Sequence, residues 1–291
     1  MTRQGPIGVT GASGEVGGRV ARRIADRGLA QRLVVRDAAR APRLPGVEVT
    51  VAGDYGDTGA MTEALAGLET VFLVPASEDA DRMRLHRSAV DAAVAAGVER
   101  IVYLSFLAAA PEATFTFARD HYWTEQHIRG TGLEFTFLRA SQYLDWVPVF
   151  ASAEGVIAGP AGDGRVAWVA RDDIADVALV ALTDPRHSGM TYDMTGPESH
   201  TLSYAAEQLS AFSGRPVTYR VETLEQAYAS RASYGAPQFE VDGWVTSYVA
   251  VATGELDVVS GTVSELAGHR PQTLPEFLAA NPASYAHLVP S

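Results

Sequence analysis

The stretch VTGASGEVGG, residues 9–18, places Gly11, Gly14 and Gly17 three residues apart, between an apolar run and an amphipathic one. Before it, PIGVTG (6–11) reads as a strand; after it, EVGGRVARRIADRG repeats its apolar residues at helical spacing. A strand, a glycine loop and a helix in that order are more informative than the glycines alone. Gly11 permits the tight turn, Gly14 the close approach of a pyrophosphate to the backbone, and Gly17 the packing of helix on strand. Ala12, Ser13, Glu15 and Val16 complete the loop and the first helical turn. The positive end of that helix favours an anion. A tight turn with no ligand would have the same outline.

The same alternation continues outward. RLVVR (32–36), VEVTVAG (47–53), TVFLVP (70–75), RIVYLSF (100–106) and LEFTFLR (133–139) are further strand candidates, and several are apolar throughout. Strands of that kind suit a parallel sheet covered on both faces. DTGAMTEALAG, DADRMRLHRSAVDAAVAAG and ARDHYWTEQHIRGTG lie between them with helical spacing. The expected fold class is therefore α/β, a Rossmann-type doubly wound parallel sheet. After about residue 150 the pattern shifts. GPAGDGR breaks the chain, DDIADVALVALTD reads as a helix and MTYDMTG as a strand. TLSYAAEQLSAFSG then reads as a helix and PVTYRVETLEQAYASR as strand–helix. Residues 1–150 are expected to form the nucleotide-binding domain. Residues 151–291 should form a smaller α/β region on the substrate side, with segments returning to the sheet.

Composition removes several classes of function. The chain has 291 residues, 47% of them hydrophobic and 20% charged, as in soluble globular proteins. A net charge of −12 repels nucleic acid and anionic membranes. Cysteine is absent, so there is no disulfide framework, thiolate nucleophile or cysteine zinc site. All 23 basic residues are arginine, which excludes Schiff-base chemistry and any lysine proton relay. MTRQGPIGVTGASG lacks the apolar core of a secretory signal, and no window approaches the 18 apolar residues of a membrane span. A cytoplasmic protein acting on a small molecule is expected.

The second strand ends LVVRDAAR. An NAD site favours an acidic residue there; Arg36 instead suits the bidentate grip of a 2′-phosphate, with Arg40 a turn further on if the segment is helical. NADP(H) is the preferred cofactor and Asp37 keeps NAD(H) possible, while an arginine in plain solvent is the alternative. In AGDYGD, Asp54 and Tyr55 fall where an adenine should rest, although an Asx-turn would use the same residues.

Together, GVTGASGEVGG, VVRD, VAGDYGD, VDAAVAAGVERIVYLSF, TEQHIRGTGLEFTFLRA and GPAGDGRVAWVARDDIADV resemble the NmrA-like branch of the atypical short-chain dehydrogenase/reductases. Within that branch they look most like the type 2 NAD(P)H:quinone oxidoreductases. The resemblance spans nearly the whole chain and weakens between 220 and 265. It implies a Rossmann domain that binds NADP(H).

It also implies a register for catalysis. Extended short-chain reductases carry a Tyr-x-x-x-Lys pair with a glutamate four residues beyond the lysine. Aligning that glutamate on Glu125 puts Phe117 at the tyrosine position and His121 at the lysine position. The rival register, Tyr122 with Gln126, leaves the glutamate out of place. Phenylalanine has no proton to give. His121 remains as a candidate proton donor or ribose contact, with packing at a helix start as the alternative; His127 is expected on the solvated face.

Ser105 ends the fifth strand, where open α/β sheets form their ligand crevice, and is a candidate donor to a substrate carbonyl or a backbone cap. Pro75 and Ala76 end the fourth strand and should border the nicotinamide ribose. LRASQYLDWV brings Arg139, Gln142, Tyr143 and Trp146 after the sixth strand. Tyr143 matches an aromatic of the quinone-reductase pattern and suits stacking on a flat ring or hydrogen bonding; Trp146 and Phe150 also suit a core. The acidic start of DDIADV needs no metal to explain it.

A quinone accepts hydride readily, and its product can take protons from water, whereas alcohol oxidation needs a base. NADPH-dependent reduction of a small quinone or activated carbonyl is therefore the expectation. A non-catalytic NADP(H)-binding redox sensor and a metabolite-tailoring reductase are the alternatives.

Overall fold

The computed structural model describes residues 5–290. The outermost positions of the expected domains and of the N-terminal stretch, residues 1–4 and 291, lie outside the described residues. In chain order the elements are β1 (Ile7–Thr10), α1 (Glu15–Asp26), β2 (Gln31–Val35), β3 (Glu48–Val51), α2 (Thr58–Leu65), β4 (Thr70–Leu73) and α3 (Arg82–Ala95). Then come β5 (Arg100–Phe106), α4 (Thr116–Thr131), β6 (Glu134–Ala140), β7 (Val156–Gly159), β8 (Arg165–Val166), α5 (Arg171–Thr183) and β9 (Thr191–Met194). The chain continues through β10 (His200–Thr201), α6 (Leu202–Ser213), β11 (Thr218–Val221), α7 (Leu224–Ala232), α8 (Gln238–Ala252) and α9 (Leu274–Ala280). Among the described residues no helix is long and apolar enough to cross a membrane.

The expected Rossmann-type sheet is present. Seven strands run in the order β3-β2-β1-β4-β5-β6-β9. The registered pairs from β3 through β5 are parallel. The amides of Phe137 and Ser141 donate to the carbonyls of Met190 and Met194 at one constant offset, so β6 and β9 also run together. The chain winds outward from β1 to β3, then crosses back to β4 on the other flank of β1. Ligands bind at such a reversal, beyond the carboxyl ends of β1 and β4.

Two compact units divide the chain. The first is Met1–Phe106, Asp120–Arg139 and Arg171–Tyr192; the second is Leu107–Arg119, Ala140–Ala170 and Asp193–Ser291. In the first unit the central strands are buried along most of their length, as their valine and isoleucine runs require. Helix α1 buries Val16, Val20, Ala21 and Ile24. Its outward Arg23 binds Asp172 at 2.9 Å and Asp176 at 2.5 Å, and Arg19 reaches Asp172 at 3.2 Å. The acidic start of α5 thus meets the arginines of α1. Partly exposed pairs of this kind contribute at most about 1 kcal/mol each, so they orient the helices more than they stabilise them.

In the second unit β7 pairs with β11 in parallel and β8 with β10 antiparallel. Helix α8 has little to announce it, since valines and Gly243 disfavour a helix. Packing supplies the reason: a Cβ on Gly243 would lie 2.4 Å from Cε2 of Phe117, so the helix lies against that ring only because the side chain is missing.

Candidate active site

Beyond β1 the chain turns at Gly11, whose φ is +60°, and the Gly14 amide donates to the Gly11 carbonyl at 2.9 Å. Gly14 caps α1 in an extended conformation without a side-chain hydrogen bond. The amides of the first turn therefore have no side chain closing them off, which is the arrangement that accepts a phosphate. A Cβ on Gly17 would fall 2.4 Å from the Gly11 carbonyl oxygen and 2.9 Å from that of Thr10. Both obstacles are backbone and cannot swing aside. Ala12 and Val16 are buried, while Ser13, Gly14 and Glu15 are exposed. The Glu15 carboxylate is bound by Arg19 one turn on, at 2.5 Å, and that hydrogen bond holds its pKa down. The loop has the geometry for a dinucleotide diphosphate.

At the end of β2, Arg36 is exposed and makes no hydrogen bond or ion pair among the described residues. Asp37 is engaged: its carboxylate accepts from the Ala39 amide at 2.9 Å and caps a single 3-10 turn, Ala38–Arg40. Arg40 ends that turn rather than lying on a longer helix. Asp54 accepts from the Gly56 amide at 2.7 Å, so the Asx-turn is formed. Tyr55 turns inward. Its ring packs on the core, and its hydroxyl lies 2.6 Å from the Val74 carbonyl and 2.7 Å from Thr10 Oγ1. Burial pushes its phenol up to about 12.

Beyond β4, Pro75 and Ala76 are half-buried and meet a polar cluster that the sequence reading passed over. Arg82 and His86 lie one turn apart on the stripe of α3 that also buries Ala89, Val90 and Ala93. Arg82 Nε donates to the Ala76 carbonyl at 3.1 Å, and His86 Nε2 accepts from the Ala76 amide at 3.0 Å. A neutral His86 then carries its proton on Nδ1, 2.7 Å from Thr124 Oγ1, and Thr124 donates onward to the Asp120 carbonyl. Burial first, and the Arg82 charge second, push His86 down to about 3.

His121 is held in the same way. Its Nε2 faces the obligate donor Arg82 Nη2 at 3.2 Å, so its proton is on Nδ1, 2.9 Å from the buried Tyr103 hydroxyl. Burial, then the charge on Arg82, keep its pKa well below the ordinary histidine value. His121 is neutral at physiological pH with both ring nitrogens engaged. Burial raises the Tyr103 phenol as well. Asp120 sits 3.4 Å from Arg82 and balances its charge.

Ser105 and Glu125 form a second buried cluster. The Ser105 hydroxyl donates to Glu125 Oε1 at 2.6 Å. Arg139 grips the same carboxylate with Nε at 2.9 Å and Nη2 at 2.6 Å. Glu125 is fully buried, and it ties α4 to the ends of β5 and β6. The proton of Ser105 is committed to Glu125. His127 lies on the outer face, paired with Asp91 at 2.8 Å, as expected.

Phe117, Gln142, Tyr143, Trp146 and Phe150 belong to the second unit. Phe117 is buried against Gly243 and has no proton to offer. Tyr143 is half-buried; it precedes the 3-10 turn Leu144–Trp146 and bridges to Val169. Trp146 is 46% exposed and so is not a core residue. The residues missed in the first unit had a legible signal: Arg82 and His86 stand at i and i+4 on an otherwise apolar helical stripe, where a charge and an imidazole need buried partners.

Comparison with known proteins agrees with this geometry. The model of a family described as NAD(P)H-binding matches residues 11–185. Quinone oxidoreductase 2 of Escherichia coli is 35% identical over 280 residues, covering 94% of this chain and 97% of its own. NAD(P)H azoreductase of Xenophilus azovorans is 32% identical over 282 residues, 95% of this chain and 98% of its own. The crystal structure of an NADPH-dependent quinone oxidoreductase from Escherichia coli, complexed with NADPH, is similar with a TM-score of 0.86 at 34% identity. It covers 94% of this chain and 99% of that one.

Proposed function

The chain belongs to the NAD(P)H-binding family, and on that premise we propose that it is an NADPH-dependent oxidoreductase acting on a small quinone or a similarly activated acceptor. The observation that carries this is the open start of α1 above a cradle that a Gly17 side chain would fill. Gly11, Ala12, Ser13, Gly14, Glu15, Val16 and Gly17 hold the diphosphate, with backbone amides as donors. Arg36, unpaired among the described residues at the end of β2, takes the 2′-phosphate. Pro75 and Ala76 border the nicotinamide ribose. Dihydronicotinamide, when bound, supplies the hydride.

What the chain's own residues do follows from their engagements. No lysine exists to lower a tyrosine's pKa, and in the register that the resemblance implies Phe117 stands at the tyrosine position. His121 and Ser105 have their protons directed at Tyr103 and Glu125. The protein therefore contributes binding, orientation and shape, and the proton comes from water. Tyr143 is proposed to stack on the acceptor ring or to hydrogen-bond it. Acceptors whose reduced form is acidic and aromatic suit such a site, whereas alcohols do not. With no cysteine to protect and no spanning helix among the described residues, a cytoplasmic location fits.

Loss of NADPH absorbance with a panel of quinones and azo dyes tests the proposal. Turnover with quinones and none of alcohols with NADP⁺ is expected. Tight NADPH binding without any turnover would replace it with a non-catalytic, redox-sensing regulator.

A further inference from the structure

The segment after β4 is held by its neighbours to an unusual degree. The Val74 amide donates to Thr10 Oγ1 at 2.9 Å, and the Val74 carbonyl lies 2.6 Å from the Tyr55 hydroxyl. Pro75 has no amide to donate. The Ala76 amide donates to His86 Nε2, and the Ala76 carbonyl accepts from Arg82 Nε. Every backbone polar group of Val74 and Ala76 thus has a side-chain partner, drawn from β1, the loop after β3 and α3. Loops of a ligand crevice are ordinarily mobile; this one is pinned. The pin is itself backed. His86 is fixed by Thr124, and Arg82 by Asp120 and His121, all on α4.

We propose that Arg82 and His86 are positioning residues that grip both ends of the Ala76 peptide and thereby fix where the nicotinamide half of the cofactor lies. The inference rests on the cofactor assignment above. Neither residue touches the reacting atoms. Both act through the Pro75–Ala76 backbone. The glycine loop and Arg36 hold the other half of the nucleotide and do not depend on the grip. His86 accepts from an amide only while neutral, and its buried setting keeps it so. The two halves of the cofactor therefore answer to separate sets of residues, and this separation can be measured.

The test compares binding of NADPH with that of 2′-phospho-ADP-ribose, which lacks the nicotinamide, by calorimetry. Wild type should bind NADPH more tightly. His86→Leu removes the acceptor of the Ala76 amide and should cut that advantage about tenfold, with 2′-phospho-ADP-ribose bound as in wild type. His86→Gln keeps an acceptor for Ala76 and a donor for Thr124, and should retain the advantage. Thr124→Val, a change of nearly equal shape one step outward, should lose a smaller part of it. Hydrogen exchange over residues 70–82 should quicken in His86→Leu and not in His86→Gln.

If all three variants keep the wild-type advantage, or if both ligands weaken together, the proposal is overturned and His86 is merely structural. Loss of the advantage in His86→Gln equal to that in His86→Leu would also overturn it. Wild-type protein that binds both ligands but reduces no quinone would end the reductase assignment and leave the binding comparison decisive. Wild type binding neither would overturn both.

Discussion

Two buried neutral histidines should make the fold acid-sensitive well above the carboxylate range. His86 titrates at about 3 in the folded protein, against an ordinary value of 6.5. Above pH ~6.5 it is neutral in both folded and unfolded chains, so its contribution to stability is fully present there. As pH falls below that value the unfolded chain takes up a proton that the folded protein refuses. Stability then drops by about 1.4 kcal/mol per pH unit for each such group, until the folded histidine itself titrates. At about pH 5, some 1.5 units below the unfolded value, His86 alone removes about 2 kcal/mol. His121, whose pKa is also lowered by burial and by Arg82, adds a loss of the same sign. The window between about pH 7 and pH 5 isolates this effect, because unfolded carboxylates titrate below it. Urea unfolding followed by circular dichroism at both pH values should show wild type losing about 2 kcal/mol more than His86→Gln across the window. An equal loss in the two proteins would refute the buried, neutral state of His86.

Further outcomes follow from the cofactor loop and the second buried cluster. Arg36→Ala should weaken NADPH by about 1–3 kcal/mol and leave NADH nearly unchanged, measured by titration; equal losses would retire the phosphate contact. Gly17→Ala puts a Cβ 2.4 Å from a backbone carbonyl, so the loop must shift. Calorimetry should find NADPH binding lost in a protein that still melts cooperatively, and full affinity would contradict the cradle. Glu125→Gln leaves Arg139 and Ser105 without their shared carboxylate. About 3 kcal/mol of stability should go, seen as a fall in Tm, whereas Ser105→Ala should cost about 1 kcal/mol.

How much could be read in advance differs between the two ends of the nucleotide. Gly11 and Gly17 were legible because a left-handed turn and a helix packed against backbone leave no room for a side chain, and spacing alone records that demand. Strand boundaries fell within a few residues for the same kind of reason, since the β-branched runs are local. Tyr55 is expected beside the adenine, and the structure puts its hydroxyl on Val74 and Thr10. Nothing in AGDYGD states which way a ring will turn; that depends on whether an unpaired carbonyl lies within reach. Ser105 and Glu125 stand 20 residues apart and meet at 2.6 Å only when α4 lies along β5. Helix α8 was invisible for the converse reason: its local preferences oppose it, and the space beside Phe117 decides.

By itself the sequence determined the alternation that makes a doubly wound sheet, the glycine loop at its first crossing, and the loss of any lysine relay. Each of these is a property of composition or of neighbours along the chain. Tertiary structure alone decided the ionisation of His86 and His121, the direction of each hydroxyl proton, and the gripping of Ala76 from α3. A pKa or a tautomer is set by what surrounds a group in space. Those surroundings come from residues far apart in the chain, joined only once the sheet has closed its helices over them.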